Sequence, residues 1–576
     1  MLRKLTNALR NNRYLWLILT IGIFVRFILI TENPPSLNWD EVSHGFNAYS
    51  LFKTGKDEWG ETFPIIFRAY GDYKLPVYIY LTAFSEYFFG LNEFAVRLPS
   101  ALAGVLTILF TYLLTKELFK NDSRITNHGS LAALAAFLIA VEPWGLFLSR
   151  GAFEANLALF FFVAGIYFFL RGLNNPKFLI LNSIFFGLTV WTYNSYRVFT
   201  PLVFVVLILL YRQELKANYL RQRSVIHYSL FIILLFLLPM FWQLLNPVGQ
   251  ARLGKVSIVD EGAITQINEA RANSNFSPIV SRAIHNKGTF FVQKFTENYF
   301  SHFSPQFLFF GGGSHYQFSV PNNGLIYWLN IPFFLLGLFV ILKGAAKGVR
   351  NLLFVIVWLF FAPIPSSLTR EAPHVLRSIT MLPVPMIITS CGAFLFFAKL
   401  KKNLRMVTTM IYIIVVLMFL ENYLINYFES YRKNYSWSWQ FGYKEVVEYV
   451  KKNYNNYDKI IITKKYGEPH EFFLFHWPWD PKKYVNDPNL IRFNQSNWYW
   501  VDGFDKFYFV NDWQIREREI GKEFVLESKK IVDCKVYRCL LITSPDNYPT
   551  GWSKLETINF LNNQPAFEIY ENRVNL

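Results

Sequence analysis

Apolar runs long enough to cross a bilayer recur from residue 14 to residue 424 of this 576-residue chain, and they decide most of what it can become. About eleven are read, near 14–31, 97–115, 129–148, 155–170, 178–193, 198–211, 226–243, 324–342, 351–368, 377–398 and 404–424. A helix needs about 17–25 apolar residues to span about 30 Å of hydrocarbon, and in lipid a helix satisfies every backbone polar group within its own segment. Composition agrees: 53% of residues are hydrophobic and only 17% charged, where a soluble domain carries about a quarter charged. The expected fold class is a polytopic α-helical membrane protein. The sixth run is short, and the eighth to tenth carry prolines.

Basic residues test the order of the runs. With a cytoplasmic N-terminus, the even-numbered connections should be basic. They hold Arg3, Lys4, Arg10 and Arg13; Lys116, Lys120 and Arg124; Arg171 and Lys177; Arg212, Lys216, Arg221 and Arg223; Lys343, Lys347 and Arg350; Lys399, Lys401, Lys402 and Arg405. The net charge of +17 thus reads as an orientation signal, and no nucleic-acid partner is expected. Segments 32–96, 149–154, 194–197, 244–323 and 369–376 then face outward, as does everything from about 430. The first run has no small-x-small cleavage site after it (Thr31-Glu32-Asn33-Pro34-Pro35), so it is read as a retained anchor. The protein is expected to be a multi-pass plasma-membrane protein whose active site is extracytoplasmic.

Just past the first run stands Leu37-Asn38-Trp39-Asp40-Glu41. Carboxylates at the surface of so apolar a protein are costly and usually functional. The plain alternative for Asp40 is a helix N-cap. Residues 40–53 place Val42, Phe46 and Tyr49 on one face, as an interfacial helix does, and Pro76–Phe89 reads as a second, aromatic one. Lys74 lies between them, and it too has a plain alternative, snorkelling to lipid phosphates.

Asp40-Glu41, Lys74-Leu75-Pro76-Val77-Tyr78 and Asn92-Glu93-Phe94-Ala95-Val96-Arg97-Leu98-Pro99 together resemble the first-loop signature of the GT-C glycosyltransferases. The similarity is to the bacterial branch akin to protein O-mannosyltransferases and the lipid A aminoarabinose transferase. It is strongest over 37–160; Leu75 departs from it where a second proline is common. The resemblance implies a GT-C transmembrane domain, 1–428, with outer loops 32–96 and 244–323. It also implies a hexosyl- or pentosyltransferase that uses a polyprenyl-phosphate-sugar donor in the bilayer. The sugar passes by inverting displacement to a hydroxyl of a protein, lipid or glycan acceptor. Asp40 is implied as base, with Glu41 orienting the acceptor or tuning Asp40. Glu154 is similar to the family's second-loop carboxylate, which in related oligosaccharyltransferases helps hold a metal. No metal ligand set is read here, so a divalent ion stays possible as cofactor without being required. Lys74, Arg197, His374 and Arg377 are candidates for the donor phosphate, and Tyr193 and His285 for substrate. Arg252, Arg282, Lys287 and Arg370 share the outer side. Transfer of a larger oligosaccharide or phosphoglycan is the alternative enzyme, and a lipid-sugar flippase the alternative from another class. A transporter should show repeated halves and mid-membrane charge, whereas here charges gather at the ends of the runs.

From 429 to 576 the composition changes. An amphipathic helix over 442–450 and strands over Lys459–Thr463, 504–510, 535–543 and 566–570 predict an extracytoplasmic α/β domain. Trp477, Trp479, Trp498 and Trp500 are expected to pack rather than to bind sugar. Cys534 and Cys539 could pair across a bend, but on one straight strand they would face opposite ways, and a disulfide is not the favoured reading.

Overall fold

The computed structural model describes residues 13–125, 127–495, 498–516 and 523–572; Arg3, Lys4 and Arg10 of the orientation argument lie outside them. The chain divides into two compact units, one of Met1–Ile28 with Ser100–Ile425 and one of Leu29–Pro99 with Asn426–Leu576. Segment 29–99 thus groups with the C-terminal region instead of with the helical bundle.

The first unit is that of an integral membrane protein. Among the described residues seven helices are long and apolar enough to cross a membrane: Glu93–Phe119, Glu154–Gly172, Arg223–Leu244, Trp328–Ala346, Arg350–Ser367, Ile379–Ala398 and Lys402–Asn434. An eighth is counted if Asn194–Leu210 and Arg212–Arg221, bent by 78°, are one span. All eleven apolar runs are helical, but by length the count of about eleven is not reached. The first run gives only Arg13–Phe27, and the fifth stops at Val190. The third breaks at Glu142 into His128–Val141 and Pro143–Leu148. Pro143 cannot donate to the helix before it, and Glu142 turns its carboxylate aside to accept from Tyr327 N–H and the Asn330 amide.

The second unit is built on a seven-stranded mixed sheet, in the order Ser553–Asn559, Pro565–Glu571, Cys539–Thr543, Lys459–Thr463, Phe507–Val510, Trp498–Phe504 and Ile491–Gln495. Lys459–Thr463 runs parallel to both its neighbours; the other pairs are antiparallel. Its run of three isoleucines suits a strand buried on both faces. Ile461 joins Val510, Leu541 and Tyr570 in one core. On the other face Phe507 and Phe509 meet Phe473 of the helix Pro469–His476. The strand expected over 504–510 is two strands: Phe504 pairs with Phe507 across a tight turn at Asp505, where φ is +49°. The expectation for the cysteines is likewise corrected. The strand begins only at Cys539, residues 534–538 turn, and Cys534 and Cys539 form a disulfide with Cα atoms 6.0 Å apart. Trp477 and Trp479 pack on each other and on Phe507, as expected.

The helix Trp39–Thr54 is not an interfacial helix with one wet face. Glu41, Val42, Ser43, His44, Gly45, Phe46, Asn47, Ala48, Ser50 and Leu51 are all buried. It lies so close to Pro469–His476 that a Cβ on Gly45 would come within 2.4 Å of the Phe475 ring. Pro76–Phe89 does keep an exposed aromatic face, of Phe84, Tyr87, Phe88 and Phe89.

Candidate active site

Asn38, not Asp40, caps the helix that carries the acidic pair. Its side chain accepts from Glu41 N–H at 3.0 Å, and Glu41 Oε2 accepts from Asn38 N–H at 3.1 Å. This is a reciprocal capping box, and it puts Asp40 in the first turn with its side chain 43% exposed. A carboxylate there is stabilised by the unpaired N–H groups of the helix end.

Glu41 is held differently. Arg97, fully buried, donates from Nε to Glu41 Oε1 at 3.0 Å and from Nη2 to Oε2 at 3.1 Å. Its remaining hydrogens go to the carbonyls of Ile30 at 2.7 Å, Pro34 at 3.1 Å and Ser36 at 2.5 Å. All five donors of a guanidinium are thereby used, and the loop between the first apolar run and Asp40 is fastened at three points. In the sequence Arg97 stands out only as part of the Asn-Glu-Phe-x-x-Arg-Leu-Pro stretch, whereas the Asn-x-x-Glu spacing of Asn38 and Glu41 marks the cap.

Lys74 ends the short hairpin Phe67–Ala69/Asp72–Lys74 and precedes Leu75, the N-cap of Pro76–Phe89 with proline at its first position. Its Nζ lies 2.6 Å from Asp40 Oδ1, with the lysine side chain 13% exposed. It is therefore paired with the acid rather than extended to lipid. Tyr70, at the hairpin turn, donates to the carbonyl of Trp39 at 2.7 Å, and Gln440 accepts from Trp39 N–H at 2.8 Å. Arg68 sits 4.9 Å from the ring centroids of both Trp59 and Tyr499.

The remaining candidates belong to the membrane unit. Glu154 opens Glu154–Gly172. Tyr193, the N-cap of Asn194–Leu210, feels the charges of Arg252, Arg377 and Glu154. Arg377 donates to Thr369 Oγ1 at 2.9 Å and to Glu371 Oε2 at 2.8 Å. His374 is buried, and its Nδ1 accepts from Arg377 N–H at 3.3 Å. Burial, then the nearby charges of Arg377, His315 and Arg252, hold the imidazole well below its ordinary range, so it is neutral at pH 7. Arg197 donates to the Val190 carbonyl and to Gln243, which ties down the turn before its helix. His285 ends the helix Pro278–Ile284, and its carbonyl accepts from Arg271 at 2.6 Å. Glu154, Tyr193 and Arg377 thus share a neighbourhood with Arg252 and His374, while Arg197 and His285 serve as local fastenings.

Two groups of potential metal ligands exist among the described residues, His315 with Glu371 and His374, and Glu58 with His470 and Glu471. Neither contains Asp40 or Glu154. Both were missed from sequence because their members are far apart in the chain.

Residues 74–242 match the family model described as dolichyl-phosphate-mannose-protein mannosyltransferase. YkcB of Bacillus subtilis (strain 168), provisionally named a mannosyltransferase, is 29% identical over 113 residues, 20% of this chain and 15% of that protein's length. Among solved structures, ArnT from Cupriavidus metallidurans bound to undecaprenyl phosphate superposes with a TM-score of 0.52 at 13% identity, over 97% of this chain and 98% of that one. The oligosaccharyltransferase AglB from Archaeoglobus fulgidus gives 0.47 at 14% identity, over 82% of this chain and 63% of that one. The fold likeness rests on ArnT, and the sequence likeness begins at Lys74. By both, the chain is similar to the GT-C membrane glycosyltransferases that its first-loop motifs indicate.

Proposed function

We propose that this protein transfers a sugar from a polyprenyl-phosphate carrier to an acceptor hydroxyl on the extracytoplasmic side of the membrane. The observation that carries the reading is the Asp40–Lys74 pair, an accessible carboxylate and an ammonium 2.6 Å apart at the open end of a helix. Around it the capping box and Arg97 fix the backbone. The ArnT structure of similar fold holds undecaprenyl phosphate, which supports this class of donor.

The acceptor oxygen attacks the anomeric carbon as the bond from that carbon to the phosphate oxygen breaks, which inverts the centre. The acceptor proton passes to Asp40, general-base work worth about 10²–10⁴-fold. The electron pair leaves with the lipid phosphate, and the Lys74 ammonium stabilises the charge that develops there. Before donor binds, Asp40 and Lys74 neutralise each other; a bound phosphate competes for the ammonium and releases the base. Glu41 acts as a positioning residue through Arg97. In the membrane unit, Arg377 with Arg252 binds anionic headgroup, and Glu154 balances their charge.

Purified protein incubated with a panel of polyprenyl-phosphate sugars and acceptor extract should release or transfer one of them. Asp40→Asn should lower that turnover by about 10²–10⁴-fold while the protein still folds, because Asn38 still caps the helix. A fully active Asp40→Asn protein would remove the base assignment, and a folded wild type that turns over no donor would remove the reading.

A further inference from the structure

Beside the helix that carries Asp40, and in the same unit, three carboxylates surround one imidazole out of reach of water. Glu58, Glu468, His470 and Glu471 are each no more than 3% exposed. The ligating atoms of Glu58, His470 and Glu471 all lie within 4.8 Å of one another. Glu58 Oε2, His470 Nδ1 and Glu471 Oε2 have no hydrogen-bond partner. The contacts that come near are too long to serve: Glu468 Oε2 to His470 Nδ1 is 3.6 Å and Glu471 Oε1 to His470 Nε2 is 3.8 Å.

Buried polar atoms are nearly always satisfied, and an uncompensated buried carboxylate is among the costliest things a fold can hold. The nearby cations do not balance this group. Lys464 is paired with Asp502. Arg492 lies over the Trp59 ring and gives an Nη2 hydrogen to the Glu58 carbonyl, while its own Nε is also unpartnered. One guanidinium thus faces three acids. A dication would restore neutrality and occupy the idle oxygen and nitrogen atoms together.

We propose that Glu58, His470 and Glu471 bind a divalent metal ion of the zinc type. Mixed imidazole and carboxylate donors suit zinc, whose bonds to them are about 2.0–2.2 Å; donor atoms on one ion are then at most about 4.4 Å apart, so the group has only a few tenths of an ångström to close. The role is that of a clamp. Glu58 belongs to the first-loop segment and His470 and Glu471 to the helix Pro469–His476. Glu471 is near Ser43, in the turn of the 39–54 helix that follows Asp40, and its carboxyl also lies against that of Glu58. The ion would therefore pin the acidic end of that helix to the sheet domain. It does not depend on the proposed transfer reaction.

The test uses the full chain, purified in detergent without chelator and without a polyhistidine tag, with metal measured by plasma mass spectrometry. About one zinc per chain is expected in the wild type and in His315→Gln, and less than a tenth of that in His470→Gln or Glu471→Gln. Should those two variants fail to fold, the wild type alone decides: chelation should remove the ion and lower the melting temperature, and added Zn²⁺ should restore it. A wild type with no bound metal, or one indifferent to chelation and re-addition, overturns the proposal. So does an ion kept by His470→Gln and lost by His315→Gln, which would place it in the membrane unit. Neither readout uses a sugar donor, so failure here is separate from failure of the transferase reading.

Discussion

Replacing Glu41 by glutamine separates the two acids of the pair, because the structure gives them different work. The amide keeps the shape of the capping box, but one of its two ends becomes a donor facing Arg97, all of whose hydrogens are already directed at acceptors. Arg97 is fully buried, so the variant leaves a guanidinium without its counter-charge. Breaking a buried ion pair from one side costs about 3–5 kcal/mol. Arg97 retains three carbonyl partners, which argues for the lower end of that range. For a cooperative unit of about 220 residues, 1 kcal/mol is about 2–4 °C in melting temperature, so a fall of about 6–12 °C is expected. Tryptophan fluorescence of the detergent-solubilised protein during heating measures it, with Asp40→Asn as the comparison that should fall less, because the Asp40–Lys74 pair is half exposed and such pairs are worth about 0–1 kcal/mol. Activity at a temperature where both are folded should fall far less in Glu41→Gln than in Asp40→Asn. Unchanged melting together with a loss of turnover of 10²-fold or more would refute the positioning role and put Glu41 at the reacting atoms.

Acid should destabilise the protein through His302. Its Nδ1 hydrogen is directed at the Asn298 carbonyl and its Nε2 accepts from Ser366, and burial lowers its pKa to about 4. An unfolded histidine titrates near 6.5, so the unfolded chain binds the proton first. The contribution is therefore present above about pH 6.5 and lost as pH falls towards 4, about 3 kcal/mol in full; His302→Gln should show a shallower acid decline in melting temperature, and an identical one would contradict it. Gly467→Ala should be costly, since φ is +117° and a Cβ would stand 2.3 Å from the Trp39 ring; overpacking of this kind costs about 1–3 kcal/mol, and a neutral effect on melting would show that the contact is soft. Single cysteines at the exposed positions Asn121 and Asn486 should react oppositely with an impermeant reagent in intact cells, 486 labelled and 121 protected; the reverse pattern would invert the orientation.

Local pattern was legible; closure over long distances was not. The helices Trp39–Thr54 and Pro76–Phe89 were read within a residue or two, since apolar period and proline position speak for themselves. The acid pair and Lys74 were singled out from motif, and Asp40 and Lys74 are in direct contact. The cap alternative for Asp40 stayed open because Asp40 is as good a cap as Asn38 by type, and only the reciprocal Asn38–Glu41 spacing distinguishes them. The 40–53 segment looked interfacial because its apolar stripe is regular, but what covers its polar face comes from residues more than 400 positions away. Apolar runs announce helices without announcing where a buried Glu142 or a proline will cut them. The buried group of Glu58, His470 and Glu471 had no spacing to betray it.

The split make-up of the second unit sets a timetable for biogenesis. Residues 29–99 are synthesised early, yet the strands and helices that enclose them come from 426 onward, with more than 300 residues of bundle in between. At about 5–20 residues per second, the 39–54 helix waits tens of seconds before Phe475 and Tyr484 can cover Gly45 and Phe46. During that interval the nascent chain is exposed to proteases and to mispairing. Premature termination anywhere after the bundle would thus yield a molecule that inserts normally and never becomes competent. Quality control for such a protein has to inspect its last-made strands, because its first-made loop depends on them.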